Sequence, residues 1–199
     1  MNRQSKNILT QKRILAAAIQ EFNSQGYFKT SLNRICKYGQ FSKGIVYHYF
    51  ENKDQLYLAC VNECFSLLTH WLKVHINHEI CDIDTAITNY LNQRFAFFQR
   101  FPQYSKIFYD NMVDPILHLK SEIEKIKADF NFLSITIIKR IIKSSQLRSD
   151  LDLDLAIEAF QIFQNNTYIR FQQKKEANLQ EYEDYCYFML KIFFYGILK

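Results

Sequence analysis

Apolar residues recur at helical spacing along most of this chain, and residues that end helices are rare. After Phe50 no glycine occurs until Gly196, and Pro102 and Pro115 are the only prolines. A β-rich fold needs turn residues at short intervals. The pattern therefore predicts an all-α fold of about nine helices. Six of them follow the first fifty residues, at about 52–75, 83–101, 102–113, 115–144, 152–173 and 178–198, and the segment 115–144 is either one long helix or a broken one.

Two short helical patterns between residues 30 and 50 are separated by a tight turn. Thr30 is predicted to cap the first, because its hydroxyl can accept from a free backbone N–H of the first turn. That helix should end near Tyr38, with Gly39 taking the positive φ of a sharp exit. Ser42 is then placed to cap the second helix. Two helices joined by so short a turn form a helix-turn-helix.

The second helix should bury one face and expose the other. Val46 and Phe50 lie four residues apart, so we expect them to face the core. The positions left pointing outward are Lys43, Gly44, Ile45, Tyr47 and His48. A cation, an apolar group and polar rings together suit a DNA groove. A glycine inside a helix costs roughly 1 kcal/mol relative to alanine, and either close approach to DNA or packing of another helix would account for Gly44.

Residues 10–61 resemble the DNA-binding region of the TetR family of bacterial transcriptional regulators. The matching positions are Ile14, Leu15, Ala18 and Phe22 in the first helix, Gly26 and Tyr27 at its turn, Thr30 and Ser31 at the second helix, Ser42–Phe50 at the recognition helix and Asn52–Leu56 at the fourth. Two features depart from the family pattern. Gly39 and Gln40 stand where members usually carry alanine and then glycine, and Cys36 replaces a usual alanine.

The resemblance implies a homodimer that binds a pseudo-palindromic operator. It implies a DNA-binding domain at residues 1–53 and an effector-binding and dimerisation domain at 54–199. The DNA contacts it indicates are Thr30, Ser42, Lys43, Gly44, Ile45, Tyr47, His48, Tyr49 and Lys53. Phosphate or groove-edge contacts are expected from Lys43, Tyr47 and Lys53, with Thr30 beside them at a helix N-terminus. Base contacts are expected from Lys43, Ile45 and His48.

Charge is concentrated at the same end of the chain. The first 53 residues hold nine basic and two acidic side chains, a net of +7, whereas the remainder has a net of −2. Such a field attracts a polyanion and releases its counterions. A solvated basic face without a partner is the alternative. Because the charge coincides with the helix-turn-helix, DNA is the favoured partner.

Composition bounds the class of protein. With 199 residues and 48% hydrophobic content, the chain can bury an ample core. It contains neither an apolar run of membrane-spanning length nor a signal-peptide core, so a cytoplasmic location is expected. The five cysteines, Cys36, Cys60, Cys64, Cys81 and Cys186, are odd in number and widely spaced. We interpret them as reduced packing residues.

The last helix carries two apolar stripes, which predicts that it is covered on two sides. One stripe runs through Tyr182, Cys186, Met189, Phe193 and Gly196, and the other through Tyr185, Phe188, Ile192 and Tyr195. A subunit interface would cover the second side, as would burial in the centre of one protomer. TetR-like proteins pair their last two helices as a four-helix bundle. The predicted interface is therefore Phe160, Phe163, Tyr182, Cys186, Met189 and Phe193.

Aromatic residues are abundant between residues 83 and 132. Rings suit pockets for flat or lipophilic ligands, although rings at helical spacing also form ordinary cores. The predicted ligand contacts are Phe95, Phe98, Tyr104, Phe108 and Phe130.

Other chemistry finds little support in the sequence. His75, His78 and Cys81 could bind a metal, but no dense ligand motif supports one, and no metal or cofactor is predicted. Asp150, Asp152 and Asp154 alternate along the chain, so they would diverge on a helix and are better explained by helix capping than by catalysis. No catalytic residue or phosphate-binding loop is found. We expect a non-enzymatic repressor released by a small, largely apolar or aromatic ligand; a nucleoid or division factor without an inducer is the alternative.

Overall fold

The computed structural model describes residues 3–76, 82–144, 147–172 and 179–197. These residues form nine α-helices, two 3-10 helices and no β-strand, which confirms the all-α prediction. The α-helices are α1 (Arg3–Lys29), α2 (Leu32–Gly39), α3 (Lys43–Tyr49), α4 (Lys53–His75), α5 (Ile83–Arg100), α6 (Ser105–Val113), α7 (Lys120–Lys143), α8 (Leu153–Gln172) and α9 (Leu179–Ile197). The 3-10 helices are Pro102–Tyr104 and Leu117–Leu119.

Local chemistry explains where several helices begin. Pro102 opens the 3-10 turn that leads into α6, a position where its missing N–H costs no hydrogen bond. Asp152 caps α8, because its Oδ1 accepts from the Leu155 N–H at 2.7 Å. The capping interpretation therefore holds for Asp152. Asp150 forms an ion pair instead, with 2.6 Å between its Oδ2 and Arg148 Nη2.

The chain packs as two compact units. Unit 1 comprises Met1–Phe65, Phe101–Asn111 and Pro115–Lys127, and unit 2 comprises Ser66–Arg100, Met112–Asp114 and Ala128–Lys199. The helix α4 contributes residues to both. The division into functional domains at residue 53 stays a prediction.

Unit 1 contains the first three helices and the start of α4. Its core includes Ile14, Phe22 and Val46, all at most 1% exposed. The ring of Tyr57 on α4 packs edge-on against Phe22, with 4.9 Å between ring centroids. The first turns of α4 are therefore tied directly to the core of α1–α3.

In unit 2, α9 packs against both α5 and α8. The Phe193 ring lies 5.8 Å from Phe160 and 5.3 Å from Phe163 on α8. On the α5 side, Asp84 Oδ2 accepts from Lys191 Nζ and from the Tyr195 hydroxyl, each at 3.1 Å. Two faces of α9 are thus occupied within one protomer.

Four cysteines, Cys36, Cys60, Cys64 and Cys186, are buried thiols outside any disulfide, as expected. Burial raises the pKa of the Cys60 and Cys64 thiols, which keeps them protonated and unreactive. Cys81 lies outside the described residues. Within the described ranges, no helix is long and apolar enough to span a lipid bilayer.

Candidate nucleic-acid interface

The helix α2 begins one residue later than its sequence indicates. Ser31 is the N-cap, with extended backbone angles and a hydroxyl that accepts from the Arg34 N–H at 3.3 Å. The prediction that Thr30 caps this helix is wrong. Thr30 is 2% exposed and its hydroxyl donates to the Glu21 carbonyl at 3.1 Å. That side chain fastens α2 to α1, and its hydroxyl does not lie at the surface.

The turn between α2 and α3 also differs from its prediction. Gln40, not Gly39, adopts the left-handed conformation, at φ 56°. Gly39 is the last residue of α2, and a Cβ there would lie 2.1 Å from Cε2 of Phe41. The glycine is therefore required for space, because the Phe41 ring fills the place of a side chain. The Arg13 guanidinium lies 5.3 Å from the centre of that ring.

Replacing Gln40 by glycine should stabilise the protein. A side chain in the left-handed region costs about 1 kcal/mol or slightly more, and glycine avoids that cost. Gln40→Gly should raise the melting temperature by about 2–4 °C, measured by thermal unfolding. Gly39→Ala is the matched comparison and should lower it, because the added methyl group collides with Phe41. A lower melting temperature for Gln40→Gly would contradict this account of the turn.

The recognition helix α3 has the inner and outer faces predicted for it. Val46 and Phe50 are 0% and 5% exposed, which confirms their place in the core. Ser42 caps the helix by accepting from the Ile45 N–H at 3.3 Å. The remaining side chains on the outward face are exposed: Lys43, Ile45, Tyr47 and His48. Tyr49 is partly buried, and its hydroxyl donates to Asn7 Oδ1 at 3.3 Å.

Gly44 lies on the exposed face of α3. A Cβ built on it would meet nothing within 4 Å. Packing against another described part of the chain therefore does not require a glycine here. Close approach to DNA at Gly44 stays a prediction.

Lys53 has an internal structural role that the sequence pattern did not reveal. Its Nζ donates to the carbonyls of Tyr27 and Thr30 at 3.1 and 3.2 Å. It also lies 3.9 Å from the centre of the Tyr27 ring. These carbonyls are available because α1 ends at Lys29, so the helix does not continue far enough to supply their helical N–H partners. Lys53 thus joins the end of α1 to the start of α4, and it is only partly exposed.

A second contact at the same place involves Asp54. The Tyr27 hydroxyl donates to its Oδ1, and His118 Nε2 lies 3.1 Å from its Oδ2. Burial and the Asp54 bond raise the pKa of Tyr27 to about 12. The Tyr27 hydrogen bond and the His118 contact lower the pKa of Asp54. The stability that Asp54 contributes is therefore present above its ordinary pKa and is lost as pH falls through its lowered folded-state pKa.

The predicted ligand contacts are mostly core residues. Phe98, Phe108 and Phe130 are at most 1% exposed, Tyr104 is 5% exposed and Phe95 is partly buried. Tyr104 donates its hydroxyl to Glu63 Oε1 at 2.6 Å. Tyr104 and Phe108 belong to unit 1, whereas the other three belong to unit 2. Their role in ligand binding stays a prediction.

The predicted dimer contacts differ in how much surface they expose within one protomer, and their role in an interface stays a prediction. Phe160 and Cys186 are 1% and 5% exposed within one protomer, so they have almost no area left to bury against a partner. Phe163, Met189 and Phe193 are partly exposed, and the side chain of Tyr182 lies outside the described residues. The large exposed apolar residues of these two helices are instead Leu155, Ile162, Phe188, Ile192 and Tyr195. Three of these form the second stripe of α9.

The candidate metal ligands are described only in part. His75 stacks on Trp71 with ring centroids 3.9 Å apart, and His78 and Cys81 lie outside the described residues. Within the described ranges, no group of three or more histidine, cysteine or acidic residues is placed to hold a metal ion.

Comparison with known proteins finds a family match in the N-terminal region. The sequence pattern described as "Bacterial regulatory proteins, tetR family" matches residues 14–60. The HTH-type transcriptional regulator LmrA of Bacillus subtilis is 36% identical over 81 residues. That match covers 40% of this chain and 39% of LmrA, well under half of the relative's length.

Solved structures resemble the chain over nearly its whole length. The regulator FadR from Bacillus subtilis, in complex with stearoyl-CoA, has a TM-score of 0.73 and 17% identity, covering 94% of this chain and 98% of that one. SmeT, the repressor of the Stenotrophomonas maltophilia efflux pump SmeDEF, has a TM-score of 0.68 and 17% identity, covering 95% and 90%. At this identity the likeness shows the fold alone.

Proposed function

We propose that the chain is a repressor of the TetR family of bacterial transcriptional regulators, that it is not an enzyme, and that it binds a pseudo-palindromic operator as a homodimer. The observation that carries the proposal is the outer face of α3, where a cation, an apolar group, two polar rings and an unobstructed glycine are exposed together. That face lies in the part of the chain with a net charge of +7. The positive charge favours binding to the DNA phosphates, and the exposed side chains can form hydrogen bonds and apolar contacts with base edges.

Residue roles on this face follow from position and chemistry. Lys43 and Tyr47 are proposed to contact phosphates, with Ser42 at the helix start and Gly44 allowing the backbone to approach. Ile45 and His48, together with Lys43, are proposed to contact base edges, since an apolar group can meet a thymine methyl and an imidazole can donate or accept. Lys53 is proposed to support this surface from within, and Thr30, whose hydroxyl donates to the Glu21 carbonyl, is proposed to do the same.

Lys43→Ala should weaken binding to every DNA sequence and reduce the slope of log affinity against log salt by about one unit. Lys53→Ala should differ, because it removes two internal hydrogen bonds. It should lower the melting temperature, whereas Lys43→Ala should not. Fluorescence anisotropy at several salt concentrations and thermal unfolding measure the two effects. If Lys43→Ala left the salt slope unchanged, Lys43 would not be a phosphate contact.

We further propose that a small, largely apolar or aromatic ligand releases the operator. The proposal is supported by the number of rings between residues 83 and 132. Release requires that the ligand bind the free conformation more tightly than the DNA-bound one. A nucleoid or division factor without an inducer is the competing function. Selecting bound genomic fragments separates the two: a few operators beside promoters support a repressor, whereas many dispersed sites support the competing function.

A further inference from the structure

A polar cluster lies inside unit 1. It consists of Tyr57 on α4, Asn111 on α6 and Lys127 on α7, which are 2%, 0% and 5% exposed. Three polar side chains from three different helices are thus withdrawn from water at one place. Burying such groups is costly unless each finds its hydrogen-bond partners.

The orientation of the Asn111 amide is determined by its neighbours. Nδ2 donates to the Ile107 carbonyl at 2.7 Å and to the Tyr57 hydroxyl oxygen at 2.8 Å. A backbone carbonyl can only accept, so the nitrogen must be on that side. The other end of the amide, Oδ1, is buried and has no hydrogen-bond partner among the residues that the structure describes. Leaving a buried acceptor unpaired in this way is destabilising.

Tyr57 and Lys127 can each donate one further hydrogen bond. Tyr57 accepts from Asn111, but its own hydroxyl proton has no acceptor among the described residues. Burial raises the pKa of Tyr57, so the proton stays in place. Lys127 Nζ donates to the Asn111 backbone carbonyl at 3.1 Å and to Glu124 Oε1 at 2.9 Å. A charged lysine has three N–H donors, and within the described chain only these two are used.

The unused groups select a particular chemistry. Two donors and one acceptor match a group that both accepts and donates, such as a carboxamide, whose carbonyl would face Tyr57 and Lys127 while its N–H faces Asn111 Oδ1. A carboxylate has no donor and would place negative charge against that oxygen. Glu124 already supplies the negative partner of Lys127. An uncharged group is therefore favoured over an anion.

Tyr57 also belongs to the core of the DNA-binding helices. Its ring packs edge-on against Phe22 and Tyr27 of α1, with centroids 4.9 and 5.0 Å away. A ligand that hydrogen-bonds the Tyr57 hydroxyl would therefore act on a ring that supports α1. No other residue of the cluster is described with a ring contact to α1.

We propose that Tyr57, Asn111 and Lys127 bind an uncharged carboxamide group at the polar end of the effector, and that Tyr57 transmits this binding to the DNA-binding helices. The inference rests on the proposed function, since it names the effector class. It adds a polar recognition site to a ligand otherwise expected to be apolar.

The test uses the full chain with two probes that differ only at the polar end, decanamide and decanoate. Decanamide should raise the melting temperature of the wild type and release it from the operator more than decanoate does. Tyr57→Phe keeps the ring and removes the donor, so it should bind decanamide about tenfold more weakly. Tyr90→Phe, which removes a buried hydroxyl bonded to Ser134 in unit 2, should leave decanamide binding unchanged.

Equal effects of the two probes, no effect of either, or undiminished binding of decanamide to Tyr57→Phe would each overturn the proposal. A high-resolution crystal structure grown with decanamide gives a second measurement that does not depend on the variant. An amide bonded to Asn111 Oδ1 supports the proposal, and a lone water there overturns it. If amide binding holds but no operator is found, the proposed function fails while this site stands. If operator binding holds without amide preference, only this inference fails.

Discussion

Gly44→Leu should strongly weaken specific DNA binding while leaving the protein folded. Leucine favours a helix by roughly 1 kcal/mol over glycine, and a Cβ at this position meets nothing within 4 Å. Stability should therefore be unchanged or slightly higher. On DNA, the added side chain would hold α3 away from the groove and weaken several contacts together. Operator affinity should fall on the order of a hundredfold, or about 3 kcal/mol.

Ala128→Leu is the control for this experiment. Ala128 is also helical and exposed, and it lies in α7, outside both the helix-turn-helix and α9. A leucine there should leave operator affinity intact. Anisotropy with the selected operator and thermal unfolding provide the two readouts. Wild-type affinity for Gly44→Leu would show that α3 does not approach DNA closely at this residue.

Ile192→Glu should convert the protein into monomers and thereby strongly weaken operator binding. Phe188 and Ile192 are 64% and 66% exposed on the outer stripe of α9, where a two-fold partner would cover them. Burying an unpaired charge there is strongly unfavourable. Because both halves of a palindromic site must be held together, a monomer should lose on the order of a hundredfold in affinity. Sedimentation measures the assembly state and anisotropy the affinity.

The control for the interface is Phe132→Glu. Phe132 is 74% exposed on α7, and the same type of substitution there should change neither assembly nor DNA binding. Phe193→Glu is a poor test, because the Phe193 ring packs against Phe160 within the protomer. Replacing it by glutamate would destabilise the fold itself. An unaltered dimer for Ile192→Glu would exclude the outer stripe of α9 as the interface.

Most of the fold could be predicted from helical periodicity. The inward positions of α3, Val46 and Phe50, are buried because only one face of a short amphipathic helix can meet the core. The residues opposite them are then exposed without further information. Helix bounds were also close, since prolines and Asp152 act on the backbone within one turn of themselves.

Predictions that depended on a single residue fared less well. Thr30 and Ser31 can both cap a helix, and the choice was made by Glu21, whose carbonyl engages the Thr30 hydroxyl. Gly39 was predicted to adopt the positive φ because glycine does so most easily. In the structure the Phe41 ring fills the space that a side chain at position 39 would need, and Gln40 is the residue with positive φ.

The sequence by itself determined the all-α class, the helix-turn-helix and its exposed face, because these depend on short-range spacing and local hydrogen bonding. Tertiary structure decided which apolar stripe of α9 stays exposed, that Lys53 holds the end of α1, and that Tyr57, Asn111 and Lys127 come together. Those three residues are 54 and 16 positions apart along the chain. Periodicity describes one helix at a time, so it cannot show which faces of distant helices meet or which buried groups are left unpaired.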